Sequence, residues 1–234
     1  MKTEKENKEI LTLENVSYRY SDADKNDYVL RNINYRFELG KIYAIKGKSG
    51  SGKTTLLSLI SGLETKYESN IEYNGKSLKK MDLDLYRNTY IGIVFQSYNL
   101  LPHLTASENI ILSMEISKVK AKDKKKKALE LMKKVGLSKS FEHRRVLKLS
   151  GGEQQRIAIA RSMSYHPLVL LADEPTGNLD KETEDEILNI FKELAHKENK
   201  CVIIVTHSKN VCDNADVVYE LKKNKIEKHE LSEK

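Results

Sequence analysis

The stretch IYAIKGKSGSGKTT, residues 42–55, decides the fold of this chain. Its first five residues predict a buried strand, and the rest satisfies G-x-x-x-x-G-K-[ST] before a helical pattern. In such a loop, backbone N–H groups face one centre, and the helix N-terminus adds the positive end of its dipole. The motif predicts a phosphate loop for a nucleoside triphosphate, with Lys53 on the β- and γ-phosphates and the Thr54 hydroxyl on Mg²⁺. The predicted binding residues are Gly47, Lys48, Ser49, Gly50, Ser51, Gly52, Lys53, Thr54 and Thr55.

Short apolar segments alternate with longer helical patterns around this loop. The predicted strands are Ile42–Lys46, Ile91–Phe95, Leu168–Ala172, Val202–Thr206 and Val217–Leu221. The predicted helices are Lys53–Ser61, one starting at Thr105, Ala128–Val135, Ser150–Met163 and Glu182–Lys197. This order indicates an α/β fold, a P-loop NTPase core with a mostly parallel sheet.

Two parts of the chain depart from this alternation. Leu11–Tyr20 and Val29–Leu39 alternate apolar and polar residues around a polar turn, Ser21–Asp27, and predict an antiparallel β-subdomain. Residues 100–149 contain no convincing strand and predict an inserted α-helical subdomain. We therefore predict one domain over residues 1–234, with an antiparallel part at about 10–40, a core at about 41–99 and 166–228, and a helical insertion at about 100–165.

The charge is unevenly distributed. The 234 residues include 41 Lys and Arg against 34 Asp and Glu, a net charge of +7, and nine lysines are concentrated between Lys118 and Lys134. No aromatic residues interleave with these lysines, so a base-stacking groove is not predicted and nucleic acid is not an expected partner. The run indicates either a solvated helix face or a contact with acidic lipid or a partner protein.

The sequence predicts a soluble, intracellular chain. No apolar run approaches the ~18–20 residues of a membrane span, and the charged start Met1–Glu9 lacks the apolar core of a secretory signal. Cys201 and Cys212 are too few for a disulfide framework and are expected to be small buried apolar residues.

Two adjacent carboxylates end the apolar run VLLADE, residues 169–174. A triphosphate site needs a carboxylate that holds the metal and a base for the attacking water, and Asp173 and Glu174 supply this pair. The alternative is a strand that simply ends in acids at the surface.

The stretch LSGGEQQR, residues 149–156, begins the fourth predicted helix. Ser150 and Glu153 form a capping box. A cap does not need Gly151 and Gly152 in the first turn, where each glycine costs ~1 kcal/mol relative to alanine. The pair suits close backbone approach to an anion, which indicates a second phosphate site or one site shared between two copies.

The order of phosphate loop, glutamine, LSGGEQQR, Asp-Glu pair and histidine resembles the nucleotide-binding subunit of an ABC transporter, from Leu11 to Glu227. The resemblance implies a head-to-tail dimer in which each ATP lies between one copy's phosphate loop and the other copy's Ser150–Glu153. It also implies ATP hydrolysis that drives a separately encoded integral-membrane permease, with the protein on the cytoplasmic side of a bacterial membrane and no span of its own.

Four further residues take roles from this resemblance. Tyr20 would stack on adenine, with Tyr18 as a competitor that faces the same way on a regular strand. Gln96 would contact Mg²⁺ and water, Asp180 would couple the two sites or cap the next helix, and His207 would contact the γ-phosphate and hold Glu174.

Two positions depart from the family pattern. Lys48 stands where proline is common, with its side chain expected to point outward, and Ser208 follows His207 where an acid is usual.

Three segments resemble one branch of the family: residues 56–64, 94–109 and 173–180. This branch serves lipoprotein release, macrolide efflux and antimicrobial-peptide resistance. The alternatives are an importer subunit and a soluble ABC ATPase that acts on nucleic acid or ribosomes. A P-loop kinase would have no use for LSGGEQQR.

Overall fold

A computed structural model describes residues 9–24, 27–222 and 225–229, with side chains up to residue 222. The strands are β1 (Glu9–Tyr18), β2 (Leu30–Glu38), β3 (Ile42–Lys46), β4 (Glu68–Tyr73), β5 (Lys76–Ser77), β6 (Ile91–Val94), β7 (Val169–Asp173), β8 (Cys201–Thr206), β9 (Val217–Lys222) and β10 (Lys225–His229). The helices are α1 (Lys53–Ile60), α2 (Leu83–Thr89), α3 (Ala106–Ile116), α4 (Lys124–Lys134), α5 (Gly151–Ser162), α6 (Lys181–Lys192) and α7 (Lys209–Asp213). The ends of the predicted domain, 1–8 and 230–234, and residues 25–26 of the predicted turn lie outside the described residues.

The central sheet has the strand order β10-β9-β3-β8-β7-β6, and every neighbouring pair except β10 and β9 is parallel. Successive side chains along its strands point to opposite faces of the sheet and pack in two different hydrophobic cores. Ala44 and Leu170 pack in the core shared with α3, α4 and α5, while Ile45 and Leu171 pack in the core shared with α1 and the second sheet. Burial on both faces explains the nearly continuous apolar runs, and the predicted α/β class is confirmed.

The second sheet is antiparallel, in the order β2-β1-β4-β5. The sequence predicts β1 and β2, but placing the antiparallel part within about 10–40 is incomplete because β4 and β5 also belong to this sheet. In β4 only Ile71 and Tyr73 are buried. An apolar alternation of two residues is too short to recognise in the sequence.

The helical insertion contains no strand among its described residues, apart from one isolated bridge between Thr105 and Arg145. The predicted start of α4 at Ala128 is wrong. The helix begins at Lys124, because the Asp123 side chain accepts a hydrogen bond from the Lys126 backbone N–H at 2.8 Å and caps it. The short helices α2 and α7 were not predicted, and α6 ends at Lys192 and continues as a π-helical turn, Glu193–Lys197.

The carboxyl ends of four parallel strands meet at one edge of the central sheet. There β3 leads into the phosphate loop, β6 precedes Gln96, β7 ends at Asp173 and β8 precedes His207. Ligands of open α/β sheets bind at this edge. None of the helices in the described part of the chain is both long and apolar enough to cross a membrane.

Candidate active site

A cleft of about 740 Å³ lies at this edge and collects most of the predicted site residues. It is lined by Tyr20, Val29, Gly47, Lys48, Ser49, Gly50, Gly52, Lys53, Thr54, Thr55, Gln96, Asp173, Glu174 and His207. These residues come from segments up to 187 positions apart, from Tyr20 to His207. The topology therefore brings the separate motifs to one place.

The phosphate loop leaves the start of α1 open. Gly52 adopts a left-handed φ of 96°, a backbone conformation that glycine takes without a steric penalty. The N-cap residue Gly52 provides no side-chain cap, so the first N–H groups of α1 have no side-chain acceptor at this position. The Lys53 ammonium donates to the carbonyls of Gly47 and Lys48 at 2.8 and 3.3 Å. The Lys48 side chain is exposed, as predicted.

Asp173 and Thr54 form the polar floor of the cleft. Burial raises the pKa of Asp173, and the Glu174 charge acts in the same direction, while a hydrogen bond from Thr54 and the Lys53 charge oppose it. The raised pKa of Asp173 means that its negative charge is only partly compensated by the neighbouring groups, so a cation bound there would stabilise it. With the amide of Gln96 on the same cleft, these oxygen donors fit Mg²⁺, which prefers oxygen ligands.

Glu174 and His207 are in direct contact. The His207 Nδ1 atom lies 2.9 Å from Glu174 Oε1, and the His207 backbone N–H donates to Glu174 Oε2 at 3.2 Å. The Glu174 side chain is 11% exposed and that of His207 is 69% exposed. Glu174 has a φ of 45°, a left-handed conformation that costs a non-glycine residue ~1–3 kcal/mol. Its backbone N–H donates to the Val205 carbonyl at 3.0 Å, which secures it to the neighbouring strand.

The two candidate tyrosines have different surroundings. Strand β1 ends at Tyr18, so the predicted regular strand does not extend to Tyr20, although the two rings are in contact. Tyr18 is buried, and its hydroxyl donates to Glu64 Oε2 at 3.1 Å. Tyr20 is 51% exposed and lines the cleft, with its hydroxyl 3.2 Å from that of Thr55.

The capping box at the start of α5 is confirmed. The Glu153 backbone N–H donates to Ser150 Oγ at 3.3 Å, and the Ser150 backbone N–H donates to Glu153 Oε2 at 2.7 Å. None of the residues 150–153 is among the described residues that line the cleft. The start of α5 is thus separate from the phosphate loop of its own chain.

The glycine pair of α5 also has a packing role that the sequence did not reveal. A Cβ on Gly152 would lie 2.5 Å from Thr183 Cγ2, and one on Gly151 would lie 3.0 Å from the Tyr98 hydroxyl. The absence of these Cβ atoms lets α5 approach α6 and the segment after Gln96. Close approach to an anion is therefore not needed to explain both glycines.

Asp180 caps α6. Its carboxylate accepts hydrogen bonds from the Thr183 backbone N–H at 3.0 Å and from the Thr183 hydroxyl at 2.7 Å. The backbone N–H of Thr183 is the main cause that lowers the pKa of Asp180. The capping alternative is confirmed, and a role across a dimer stays a prediction.

Two residues with polar contacts around the cleft were not predicted. Arg161 of α5 donates to the Tyr98 carbonyl at 2.9 Å and to the Asn99 carbonyl, so it fixes the segment after Gln96. Glu184 of α6 accepts hydrogen bonds from Thr176 and Ser208. The one signal for Glu184 in the sequence was indirect, since Ser208 stands where an acid was expected. Cys201 is buried as predicted, whereas Cys212 is only half-buried.

Comparisons with known proteins agree with this geometry. A family model described as ABC transporter matches residues 30–177. The uncharacterised ABC transporter ATP-binding protein YclH of Bacillus subtilis is 46% identical over 208 residues, which cover 89% of this chain and 91% of that protein. The lipoprotein-releasing system ATP-binding protein LolD of Treponema denticola is 37% identical over 223 residues, which cover 94% and 98%.

A solved structure extends the comparison to the fold. It shows the ATP-binding cassette MJ0796 of Methanocaldococcus jannaschii as a dimer in a post-hydrolysis state bound to ADP and Pi. The match has a TM-score of 0.87 and 34% sequence identity, and it covers 96% of this chain and 100% of that one. The phosphate loop, Gln96, the Asp-Glu pair and His207 meet in one cleft. With relatives along nearly its whole length, the protein belongs to the ABC transporter family as an ATP-binding subunit with ATPase activity.

Proposed function

We propose that this ATPase drives a separately encoded integral-membrane permease from the cytoplasmic side of a bacterial cell membrane. The observation that carries the proposal is the position of one segment, Gln96–Leu101, between two clefts. Gln96 lines the nucleotide cleft, while Asn99 and Leu101 line a second cleft of about 400 Å³. The loss of the γ-phosphate on hydrolysis can therefore affect a partner bound in the second cleft through a displacement of the six residues 96–101.

The roles in hydrolysis follow from the contacts in the nucleotide cleft. The open start of α1 and Lys53 bind the β- and γ-phosphates. Glu174 orients and deprotonates the attacking water, and His207 holds its carboxylate and contacts the γ-phosphate. Thr54, Gln96 and Asp173 would hold Mg²⁺, which when bound neutralises charge on the phosphate oxygens.

A second copy completes the site. The residues at the start of α5, Ser150, Gly151, Gly152 and Glu153, lie outside their own cleft but present a helix N-terminus suited to an anion. The dimeric structure of MJ0796 supports a dimer of this chain too, and the family resemblance implies a head-to-tail arrangement. In that arrangement Tyr20 stacks on adenine, and Asp180 couples the two sites.

The second cleft is suited to an apolar segment of the permease. Ile93, Phe95 and Leu112 line it, and Leu101 and Ile116 at its rim are 37% and 58% exposed. Exposed apolar side chains grouped around a groove are typical of an interaction site. Arg161 also lines this cleft, so it links a bound partner to α5.

The class of transported substrate is proposed from the similarity of this chain to its relatives. The relative LolD belongs to a lipoprotein-releasing system, and the motif resemblance favours release or export of a lipoprotein, drug or antimicrobial peptide. The lysine run does not favour nucleic acid. Within it, Lys124 pairs with Glu115, Lys125 with Glu142 and Lys134 with Glu198.

The test is capture of the partner. A tagged Glu174→Gln variant is purified from its native membrane with ATP and Mg²⁺, and copurifying proteins are identified by mass spectrometry. We expect a permease with few spans and a large extracytoplasmic domain. A six-span permease with a binding protein would make the chain an importer subunit, and recovery of no membrane protein would favour a soluble ATPase. Phosphate release without an added acceptor excludes the kinase alternative.

Substitutions in the second cleft locate the docking surface. Tyr98 and Leu100 belong to the same segment, but they pack against the core, so replacing them also disturbs the fold. The exposed pair Leu101→Ala/Ile116→Ala is expected to lose the permease and keep ATP hydrolysis. Leu63→Ala, an exposed leucine outside the second cleft, is the matched control. Unchanged permease recovery with the double variant would contradict the proposed docking site.

A further inference from the structure

The carboxylate of Glu184 joins the two loops that carry the catalytic pair. Glu184 lies in the first turn of α6. Its Oε1 atom accepts hydrogen bonds from Thr176 Oγ1 at 2.9 Å and from Ser208 Oγ at 2.7 Å, and its Oε2 atom accepts one from Asn210 Nδ2 at 3.1 Å. Two loop residues, Thr176 and Ser208, and Asn210 of α7 thus donate to one side chain.

On the first loop, Thr176 is coupled to Glu174 by a tight turn. The Gly177 backbone N–H donates to the Glu174 carbonyl at 3.2 Å, and Pro175 stiffens the link between Glu174 and Thr176. Thr176 is buried, with 4% of its surface exposed. Because Glu174 has a left-handed backbone, contacts around it must hold this conformation against its cost. The bond from Thr176 to Glu184 is one such contact.

On the second loop, Ser208 follows His207 directly. Its hydroxyl accepts a hydrogen bond from the Val211 backbone N–H at 3.4 Å, which caps α7, and donates its proton to Glu184. The Glu184 carboxylate therefore restrains the residue next to His207 as well as the residue two positions after Glu174. These two restraints lie on either side of the Glu174–His207 contact, in which Glu174 Oε1 and His207 Nδ1 are 2.9 Å apart.

We propose that Glu184 is a positioning residue that keeps Glu174 and His207 in register for hydrolysis through its bonds to Thr176 and Ser208. Glu184 is not among the residues that line the nucleotide cleft in the described structure, so it acts through the pair rather than on ATP. The inference rests on the proposed roles of Glu174 and His207.

Steady-state hydrolysis of Mg-ATP by Glu184→Gln tests the proposal. The amide nitrogen cannot accept a hydrogen bond, so in either orientation of the amide at least one of the donors Thr176, Ser208 and Asn210 loses its acceptor. We expect kcat to fall about tenfold while KM for ATP stays within about twofold, because small misplacements of catalytic groups cost rate. Glu182→Gln, an exposed glutamate in the same turn, is the control with the same charge change and should keep the native kcat.

A second variant separates positioning from general stability. Ser208→Asp places a carboxylate between the same donors and caps α7 as serine does. In the Glu184→Gln background it should restore most of kcat, whereas in the native background it brings two carboxylates together and should lower kcat. A native kcat for Glu184→Gln would overturn the proposal. Failure of Ser208→Asp to restore kcat, together with a lower Tm of Glu184→Gln, would also overturn it.

Glu174→Gln, assayed in parallel, tests the proposed function separately. If Glu174→Gln hydrolyses ATP at the native rate, the assignment of the base fails. If Glu174→Gln is inactive and Glu184→Gln is fully active, only the role of Glu184 fails.

Discussion

At the entrance of the nucleotide cleft, two tyrosines only two positions apart have different environments. Burial, reinforced by the Glu64 carboxylate, raises the pKa of Tyr18 to about 12, and its ring belongs to the core beneath the antiparallel sheet. The Tyr20 ring stands nearly perpendicular to that of Tyr18, with the centroids 5.3 Å apart, and faces the cleft. Only Tyr20 has a face available to a base.

Replacing Tyr20 should weaken ATP binding. Stacking of a base on an aromatic ring is worth about 1–3 kcal/mol, so Tyr20→Ala should raise the Kd for ATP by a factor of roughly 5 to 150. Tyr18→Phe keeps the buried ring, loses only the bond to Glu64, and should leave Kd nearly unchanged. Calorimetric titration with ATP in the Glu174→Gln background measures both. Weaker binding by Tyr18→Phe and native binding by Tyr20→Ala would contradict the assignment.

Local sequence predicted those residues whose chemistry depends on their immediate neighbours. Lys53 and Thr54 stand at fixed offsets from glycines, and Asp173 and Glu174 end an apolar run. Glu184 was not predictable in this way, because its donors Thr176 and Ser208 are 8 and 24 positions away and meet it only after folding.

At the scale of elements, the starts of α1 and α5 differ in how their N–H groups are satisfied. Helix α5 has a full capping box, whereas no side chain of the described residues caps α1. The first turn of α5 lies against the first turn of α6, since a Cβ on Gly152 would meet Thr183. Thr183 in turn donates hydrogen bonds to Asp180. The close approach of the two helices therefore brings the start of LSGGEQQR next to Asp180 within one chain.

The contact between Gly152 and Thr183 predicts that Gly152→Ala lowers the stability of the fold. In an open helix position, Gly152→Ala would stabilise the fold by ~1 kcal/mol. Here the added methyl overlaps Thr183, and overpacking should instead lower the free energy of unfolding by about 1–3 kcal/mol. Thr183→Ser removes the opposing methyl and keeps the hydroxyl, so the pair Gly152→Ala/Thr183→Ser should recover most of the loss in urea unfolding. Higher stability of Gly152→Ala alone would rule out the close contact.

The sequence predicted elements well where burial gave a long pattern. The five parallel strands of the central sheet are mostly apolar, and their bounds agree with the predicted ones within one residue, whereas the antiparallel strand β10 was not predicted. The edge strands β4 and β5 bury too few residues to be recognised. The start of α4 was missed because the four lysines from Lys124 to Lys127 carry no apolar periodicity, although Asp123 gave a capping signal.

At the scale of the whole molecule, two clefts share one segment, and one helix start faces away from its own cleft. The segment from Gln96 to Leu101 connects the nucleotide cleft with the second cleft, and Arg161 holds its backbone on α5. Through Arg161, helix α5 is therefore in contact with the segment that carries both the proposed γ-phosphate sensor, Gln96, and part of the proposed docking cleft. A second copy that binds ATP through this helix start would couple nucleotide binding to the permease.

If a second copy completes the ATP site, Glu174→Gln should be a dimer in solution when ATP is bound, and its mass distinguishes a dimer from a single chain. Light scattering after size-exclusion chromatography with ATP and Mg²⁺ should give twice the 26.9 kDa of one chain. The same variant with Ser150→Arg should bind ATP but remain a single chain, because the bulky cation blocks the helix start. A Glu174→Gln protein that binds ATP and stays at the mass of one chain would contradict the account.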